Sequence, residues 1–565
     1  MPLQRLLHIS LCVLALAGCR PPETAPPAPP VVAHDWFEDV TAARGINFVH
    51  HAGTNWFSSE QMGSGCALFD YDNDGRLDVY LMQAGGTNSP FKNQLLHQEP
   101  DGRFKDVSAG SGLDIAGEGM GVAVGDINDD GRPDLLVTEY GRARLFLNQG
   151  GGKFLEVTAA SGIDNPRWGM SAAFFDFDRD GWLDLVIANY LDHDPSEKCH
   201  DAVGVLEFCG PHGFPGLAPR LFRNLGARSG AGTVRFQDVT VESGLGAAPG
   251  PGLGVLCTDF DGDGWPDIFI SDDGKPNRLF LNLRNGTFQE RAASSGVAFN
   301  GMGQTGGNMG IAIGDVNGDG LFDFFVTRLS EERHCLWVQG PRGFFEEKSA
   351  GLGLNKQGWR GTGFGAVMAD FDNDGAIDLA FVNGLVRRGR DAAPAGSEVE
   401  PFWRPYAQRN QLFANDGRGN FRDVSPQNPV FCGRAAVGRV VVSGDLDNDG
   451  AVDLVVSSVG SSVKLLRNVG GKSGHWLMVR AVDPALGGRD AYGAQIFLRA
   501  GGRTFWREIN PGSTYLGSND PRAHFGLGPI EAFASLEVQW PDGTRESFPG
   551  GNSNQLLVLS KGRKN

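Results

Sequence analysis

FDYDNDGRLD (69–78), GDINDDGRPD (125–134), FDFDRDGWLD (175–184), TDFDGDGWPD (258–267), GDVNGDGLFD (314–323), ADFDNDGAID (369–378) and GDLDNDGAVD (444–453) are seven copies of one acidic loop. Each opens on Asp, places Asp or Asn two residues later, continues with Asp-Gly and closes on Asp. Calcium requires six to eight hard oxygen donors in a flexible cage at about 2.3–2.6 Å, and positions one, three, five and nine supply side-chain oxygens. The ligands expected are Asp70, Asp72, Asp74 and Asp78; Asp126, Asn128, Asp130 and Asp134; Asp176, Asp178, Asp180 and Asp184; Asp259, Asp261, Asp263 and Asp267. The remaining copies supply Asp315, Asn317, Asp319 and Asp323; Asp370, Asp372, Asp374 and Asp378; and Asp445, Asp447, Asp449 and Asp453. Gly at position six permits the sharp turn that folds the carboxylates inward. Two carboxylates about 4 Å apart repel by roughly 4 kcal/mol at an effective dielectric of 20, so compact loops imply bound cations, up to seven Ca²⁺. Magnesium prefers a tighter octahedron with several waters retained. Asp-Gly turns solvated by water are the alternative. No Glu stands at position twelve and strands flank the loops, so they are not EF-hands.

Short apolar runs lie on both sides of every loop, among them CALF (66–69), LVI (185–187) and LVV (454–456). Unbroken runs of this length bounded by Gly and Asp fit strands covered on both faces. An LFxN-like segment followed by a Phe-x-Asp-Val-like one alternates with the acidic loops, clearest in LFLNQGGGKFLEVT (145–158) and LFANDGRGNFRDVS (412–425). Each unit therefore holds about four strands, the content of a propeller blade. The chain enters with FEDVT (37–41) before any acidic loop and ends its last repeat at VKLLRNVG (463–470) without such a segment. The expectation is an all-β fold: a seven-bladed propeller over 36–470, closed by the N-terminal strand, and a small C-terminal β domain over 472–563.

Two units carry insertions, at about 191–219 and 384–409, and both emerge on the face opposite the acidic loops. The first holds Asp192, Asp194, Glu197, Asp201 and Glu207; the second holds Arg387, Arg388, Arg390 and Arg404 with Phe402, Trp403 and Tyr406. Long loops on a rigid scaffold are where binding tends to reside, with tolerated surface insertion as the bland reading. Cys199 and Cys209 bracket part of the first insertion and are expected to form a disulfide; a zinc site with His200 and His212 matches no usual spacing. Cys66 and Cys257 read as core thiols. In FVHHAG, His50 and His51 face opposite ways, and a surface His without a partner is the expected state.

Arg5 precedes an apolar stretch, Leu6 to Leu16, too short to span a bilayer. Leu16-Ala17-Gly18-Cys19 resembles a bacterial lipobox, giving a signal peptide over 1–18, a lipidated Cys19 and a Pro-rich tether over 19–35. The compartment expected is the outer membrane or cell surface, with a plain periplasmic or secreted protein as the alternative. The formal charge of −17 lies largely in the acidic loops, and seven divalent ions would neutralise most of it. Nucleic acid, which calls for a basic footprint, is excluded as a partner.

The acidic repeats look like the FG-GAP/VCBS repeats of integrin-α-type propellers. The tail resembles the ASPIC/UnbV domain through GHWLMVR (474–480), RDAYGAQI (489–496), GSTYLGSNDPRAHFGLG (512–528) and VQWPDG (538–543). Together they resemble the cartilage acidic protein family, which implies a secreted or surface calcium-binding protein. Leu385, after Asn383-Gly384, departs from the His expected in many relatives. No G-x-S-x-G, H-E-x-x-H or phosphate loop is present. The function expected is therefore a surface-anchored, non-catalytic binding or adhesion protein whose ligand is a protein or glycan. The alternative is a polysaccharide lyase or hydrolase working at the mouth of the central channel.

Overall fold

The structure is a computed structural model that describes residues 35–226, 234–356, 358–389 and 398–563. The expected signal peptide, the Cys19 lipidation site, the Pro-rich tether up to residue 34 and Arg390 lie outside the described residues. Each apolar run becomes a strand buried on both faces; Leu185, Val186 and Ile187 are wholly inaccessible. Among the described residues, seven antiparallel sheets each carry one acidic loop between their first and second strands. The second sheet is typical, with Gly119–Gly125, Asp134–Glu139, Arg142–Asn148 and Phe154–Glu156 in spatial order. The third strand is the LFxN segment and the outer strand is the Phe-x-Asp segment. Apolar clusters fill the space between neighbouring sheets, such as Tyr71, Phe146 and Phe154 between the first and second.

The ring closes as the sequence requires. Phe37–Asp39 supplies the outer strand of the seventh sheet, pairing with Lys464–Asn468 so that Phe37 lies opposite Asn468 and Asp39 opposite Leu466. The first and last sheets then meet through Leu68, Val79, Leu446 and Val455 in one cluster.

Residues 475–560 build two further sheets around Leu498, Phe525, Val538 and Trp540. In one, His475–Asp483 lies between Ala523–Gly528 and the parallel strand Gln555–Ser560. The other runs Arg503–Glu508, Gln495–Ala500, Ala532–Gln539, Arg545–Asn552. This tail sits on the acidic-loop face of the ring and drives one segment into its centre. Gly517 and Ser518 pair in parallel with Cys66 and Ala67 of the first blade. The Leu516 carbonyl accepts from the Val122 N–H at 3.3 Å, its N–H reaches Ser171 Oγ at 3.1 Å, and Thr514 Oγ1 donates to the Val441 carbonyl at 2.9 Å. Tyr515 and Leu516 are buried among Met120, Met170, Leu253, Met309, Phe364 and Val440, so the channel is packed rather than open.

The same tail makes a pH-sensitive joint. Glu508 accepts from Thr258 Oγ1 at 2.8 Å and from Asn510 Nδ2 at 3.1 Å. Burial pushes its carboxyl from 4.5 up to about 7, with those two hydrogen bonds pulling the other way. A raised folded value means that its contribution is complete below 4.5 and is lost as the pH rises through 7. Glu508→Gln, which mimics the protonated carboxyl, should stabilise the protein by about 1–2 kcal/mol at pH 8 after allowance for solvent screening. It should do nothing near pH 4, and urea unfolding at the two pH values checks both halves.

Candidate metal centre

Every loop is wound by its own carboxylates. In the third, Asp176 Oδ1 accepts from the Asp180 N–H at 3.2 Å and Oδ2 from the Gly181 N–H at 3.0 Å. Asp184 Oδ2 accepts from the Phe177 N–H at 3.0 Å and Oδ1 from the Asn224 N–H at 2.7 Å, while Asp180 Oδ1 takes the Trp182 N–H at 3.0 Å. Gly181 has φ 94°, a conformation that a side chain would strain. The outermost copies repeat this: Asp70 takes the N–H groups of Asp74 and Gly75, and Asp445 those of Asp449 and Gly450. The opening and closing aspartates thus fix the loop, and their remaining lone pairs turn toward positions three and five.

Carboxylate oxygens gather accordingly. Asp70, Asp72 and Asp74 each offer one oxygen within 4.8 Å of the others, as do Asp176, Asp178 and Asp184; Asp259, Asp261 and Asp263; and Asp370, Asp372 and Asp374. In the second and fifth loops Asn replaces one carboxylate, and the Asn128 and Asn317 amides donate to Asp130 and Asp319, each at 2.9 Å. Outside the first loop the side-chain donors are all hard oxygen, and three of the loop atoms, Asp259 Oδ1, Asp372 Oδ1 and Asp447 Oδ1, are buried without a hydrogen-bond partner. Such orphans are costly, and a bound cation would satisfy them. Burial pushes Asp78 up to about 8, Asp176 to about 7 and Asp126 to about 6, with neighbouring carboxylates adding to the shift. These acidic clusters could bind metal ions, and a cation of charge two would hold the carboxylates ionised.

Sequence reading missed the groups that surround the loops. His97 places Nδ1 3.1 Å from Asp78 Oδ1 and 3.7 Å from Asp72 Oδ2, a nitrogen among oxygens peculiar to the first blade. At the equivalent strand position of the third blade, Arg223 Nε reaches Asp178 Oδ2 at 2.6 Å. The variable residue of the LFxN segment was the available signal, because it faces the loop. The last residue of that segment has its own task. Its amide donates to a carbonyl at position two of the preceding blade's loop: Asn148 to Tyr71, Asn224 to Ile127, Asn282 to Phe177, Gln339 to Phe260, Asn415 to Val316 and Asn468 to Phe371. Gln98 to Leu446, at 2.8 Å, completes the circle from the first blade to the seventh.

The tail grips the same loops. Arg489 Nη1 pairs with Asp129 and its Nη2 donates to the Gly181 carbonyl, both at 2.7 Å. Arg522 donates to the Asp445 carbonyl at 2.8 Å, and the Gly528 N–H to the Asn373 carbonyl at 2.8 Å.

Two family descriptions match the chain. The FG-GAP-like repeat covers 70–137, 126–187 and 259–326, and "ASPIC and UnbV" covers 486–565. Cartilage acidic protein 1 of Xenopus tropicalis is 28% identical over 525 residues, 88% of this chain and 74% of that one. The chain carries FG-GAP-like repeats and an ASPIC/UnbV domain and is similar to cartilage acidic protein 1. The human counterpart is 30% identical over 344 residues, 58% of this chain, and the alignment spans 47% of its own length. Among solved structures, YCF48 bound to a D1 peptide overlaps 77% of this chain and 96% of its own, with a TM-score of 0.40 and 8% identity. An Agrocybe aegerita lectin that recognises non-reducing terminal N-acetylglucosamine overlaps 73% and 92%, with a TM-score of 0.38 and 15% identity. The loops opening at Asp370 and Asp445 lie outside the repeat matches, yet keep the same hydrogen bonds.

The opposite face carries the two insertions, which fold onto each other. Glu207 of the first accepts from Tyr406 Oη at 2.6 Å and pairs with Arg388 Nε at 3.3 Å, and Phe208 stacks on Trp403 at 5.5 Å. Cys199 and Cys209 are bonded, with Cα atoms 5.1 Å apart. The charge contrast between the insertions is thus partly spent within the molecule. His51 differs from expectation, since its Nδ1 lies 2.8 Å from Glu400 Oε1 and its ring stacks on Phe91. The second insertion supplies that carboxylate from 349 residues away, beyond the reach of local pattern. His50 is fully buried beside it in sequence.

Proposed function

We propose that this chain is an exported, calcium-stabilised, non-catalytic binding protein, anchored by a lipid at Cys19, that recognises a protein or glycan. The observation that carries the reading is the set of seven acidic loops of one hydrogen-bonded design, with buried carboxylate oxygens left unpaired. Calcium suits an all-oxygen, flexible donor set better than magnesium does. The Cys199–Cys209 disulfide supports an oxidising compartment. A packed channel, filled by Tyr515 and Leu516, favours binding over turnover at the acidic-loop mouth.

Calcium titration of chelated protein should give a stoichiometry approaching seven ions. Asp176→Ala should remove one ion and leave the rest, as measured by calorimetry and elemental analysis. Unchanged stoichiometry in that variant would show that the third loop holds no ion. A pull-down with the mature chain, with and without calcium, tests the partner. An empty capture counts against the binding role, and a calcium-independent one against calcium's part in it.

A further inference from the structure

On the face opposite the acidic loops, beneath the joined insertions, lies a cavity of about 590 Å³. Two carboxylates in its wall each keep one oxygen free. Asp273 accepts from Tyr190 Oη at 2.6 Å through Oδ2, while no hydrogen bond engages its Oδ1 among the described residues. Glu332 accepts the Gly307 N–H at 3.0 Å through Oε2 and keeps Oε1 spare. Gln61, only 4% exposed, lines the same space, its Oε1 sealed behind the wall. Two carboxylate acceptors are therefore left where a ligand would have to supply the hydrogens.

The charge is close to balanced. Arg328, 1% exposed behind the wall, and Arg387 offset two of the three carboxylates Asp273, Glu331 and Glu332, His212 also lines the space, and Arg388 is already paired with Glu207. A strongly charged ligand gains little there, whereas hydroxyl groups satisfy carboxylate acceptors without adding charge. The remaining wall, from Met62, Met309, Leu385 and Val386, is apolar and suits the C–H face of a sugar ring. Cavities of about 300–1,000 Å³ are the usual size for small ligands, and this one has room for one or two sugar rings. The disulfide-braced insertion and the Phe208–Trp403 stack hold its roof in place before any ligand arrives.

We propose that this cavity binds the terminal sugar of a neutral glycan, with Asp273 and Glu332 accepting its hydroxyl hydrogens. The proposal rests on the binding role given above and names its ligand class.

The test uses the full mature chain in calcium, with glucose, galactose, mannose and N-acetylglucosamine as probes and lysine and glutamate as charged comparators, read by saturation-transfer NMR and calorimetry. At least one neutral sugar should bind. Asp273→Asn and Glu332→Gln should each weaken it about tenfold, and Val386→Trp, which fills the cavity without touching its polar wall, should abolish it at unchanged melting temperature. Preference for lysine or glutamate, or no sugar binding at millimolar concentration, overturns the proposal. Glycan capture that survives Val386→Trp also overturns it while leaving the binding role intact, because the ligand then sits elsewhere.

Discussion

Chelation with EDTA should lower the melting temperature by about 20 °C and release the tail from the ring. A site held at a hundred times its dissociation constant contributes about 2.7 kcal/mol, and seven independent sites sum to nearly 20 kcal/mol. A chain of this size shifts by roughly 1 °C per kcal/mol, extrapolating the trend for smaller domains. The tail responds because Arg489, Arg522 and the Gly528 N–H hold backbone or side-chain groups of loops two, three, six and seven. Differential scanning calorimetry reads the shift, and limited proteolysis reads the release. An unfolding curve indifferent to EDTA would remove calcium from the account of this fold.

Leu516→Asp should be the most damaging single substitution in the tail. Leu516 is 1% exposed, holds φ 55° and has both backbone groups bonded to ring strands. A carboxylate placed there meets Met120, Met170 and Leu253 with no cation supplied, a loss of about 4 kcal/mol or more. Leu516→Met keeps the volume and should cost less than about 1.5 kcal/mol. Chemical denaturation of the three proteins checks the ordering. If the Asp variant unfolds within about 0.5 kcal/mol of the parent, the plug contributes little to holding the channel.

The ring was legible because its signals are local. Asp-Gly turns, apolar runs and LFxN segments recur within each unit, and the unpaired FEDVT at the start and the truncated repeat at the end fix closure. The tail strands were legible for the same reason, from His475–Asp483 to Gln555–Ser560. Thr514-Tyr515-Leu516 was recognised only as part of a motif, since an irregular segment carries no periodicity that would send it into a channel. The LFxN amides could be seen but not assigned, because each partner belongs to another blade. His51 and Glu400, like Glu207 and Arg388, meet only once the ring has brought distant insertions together.

The pairing of Phe37–Asp39 with Lys464–Asn468 has a temporal meaning. The strand synthesised first is the last to find its place, since its partner emerges more than four hundred residues later, separated from it by an entire circle of blades. Until then one edge stays unsatisfied, and the nascent polypeptide has every reason to stick to its neighbours. The circle can close only once all seven units are together.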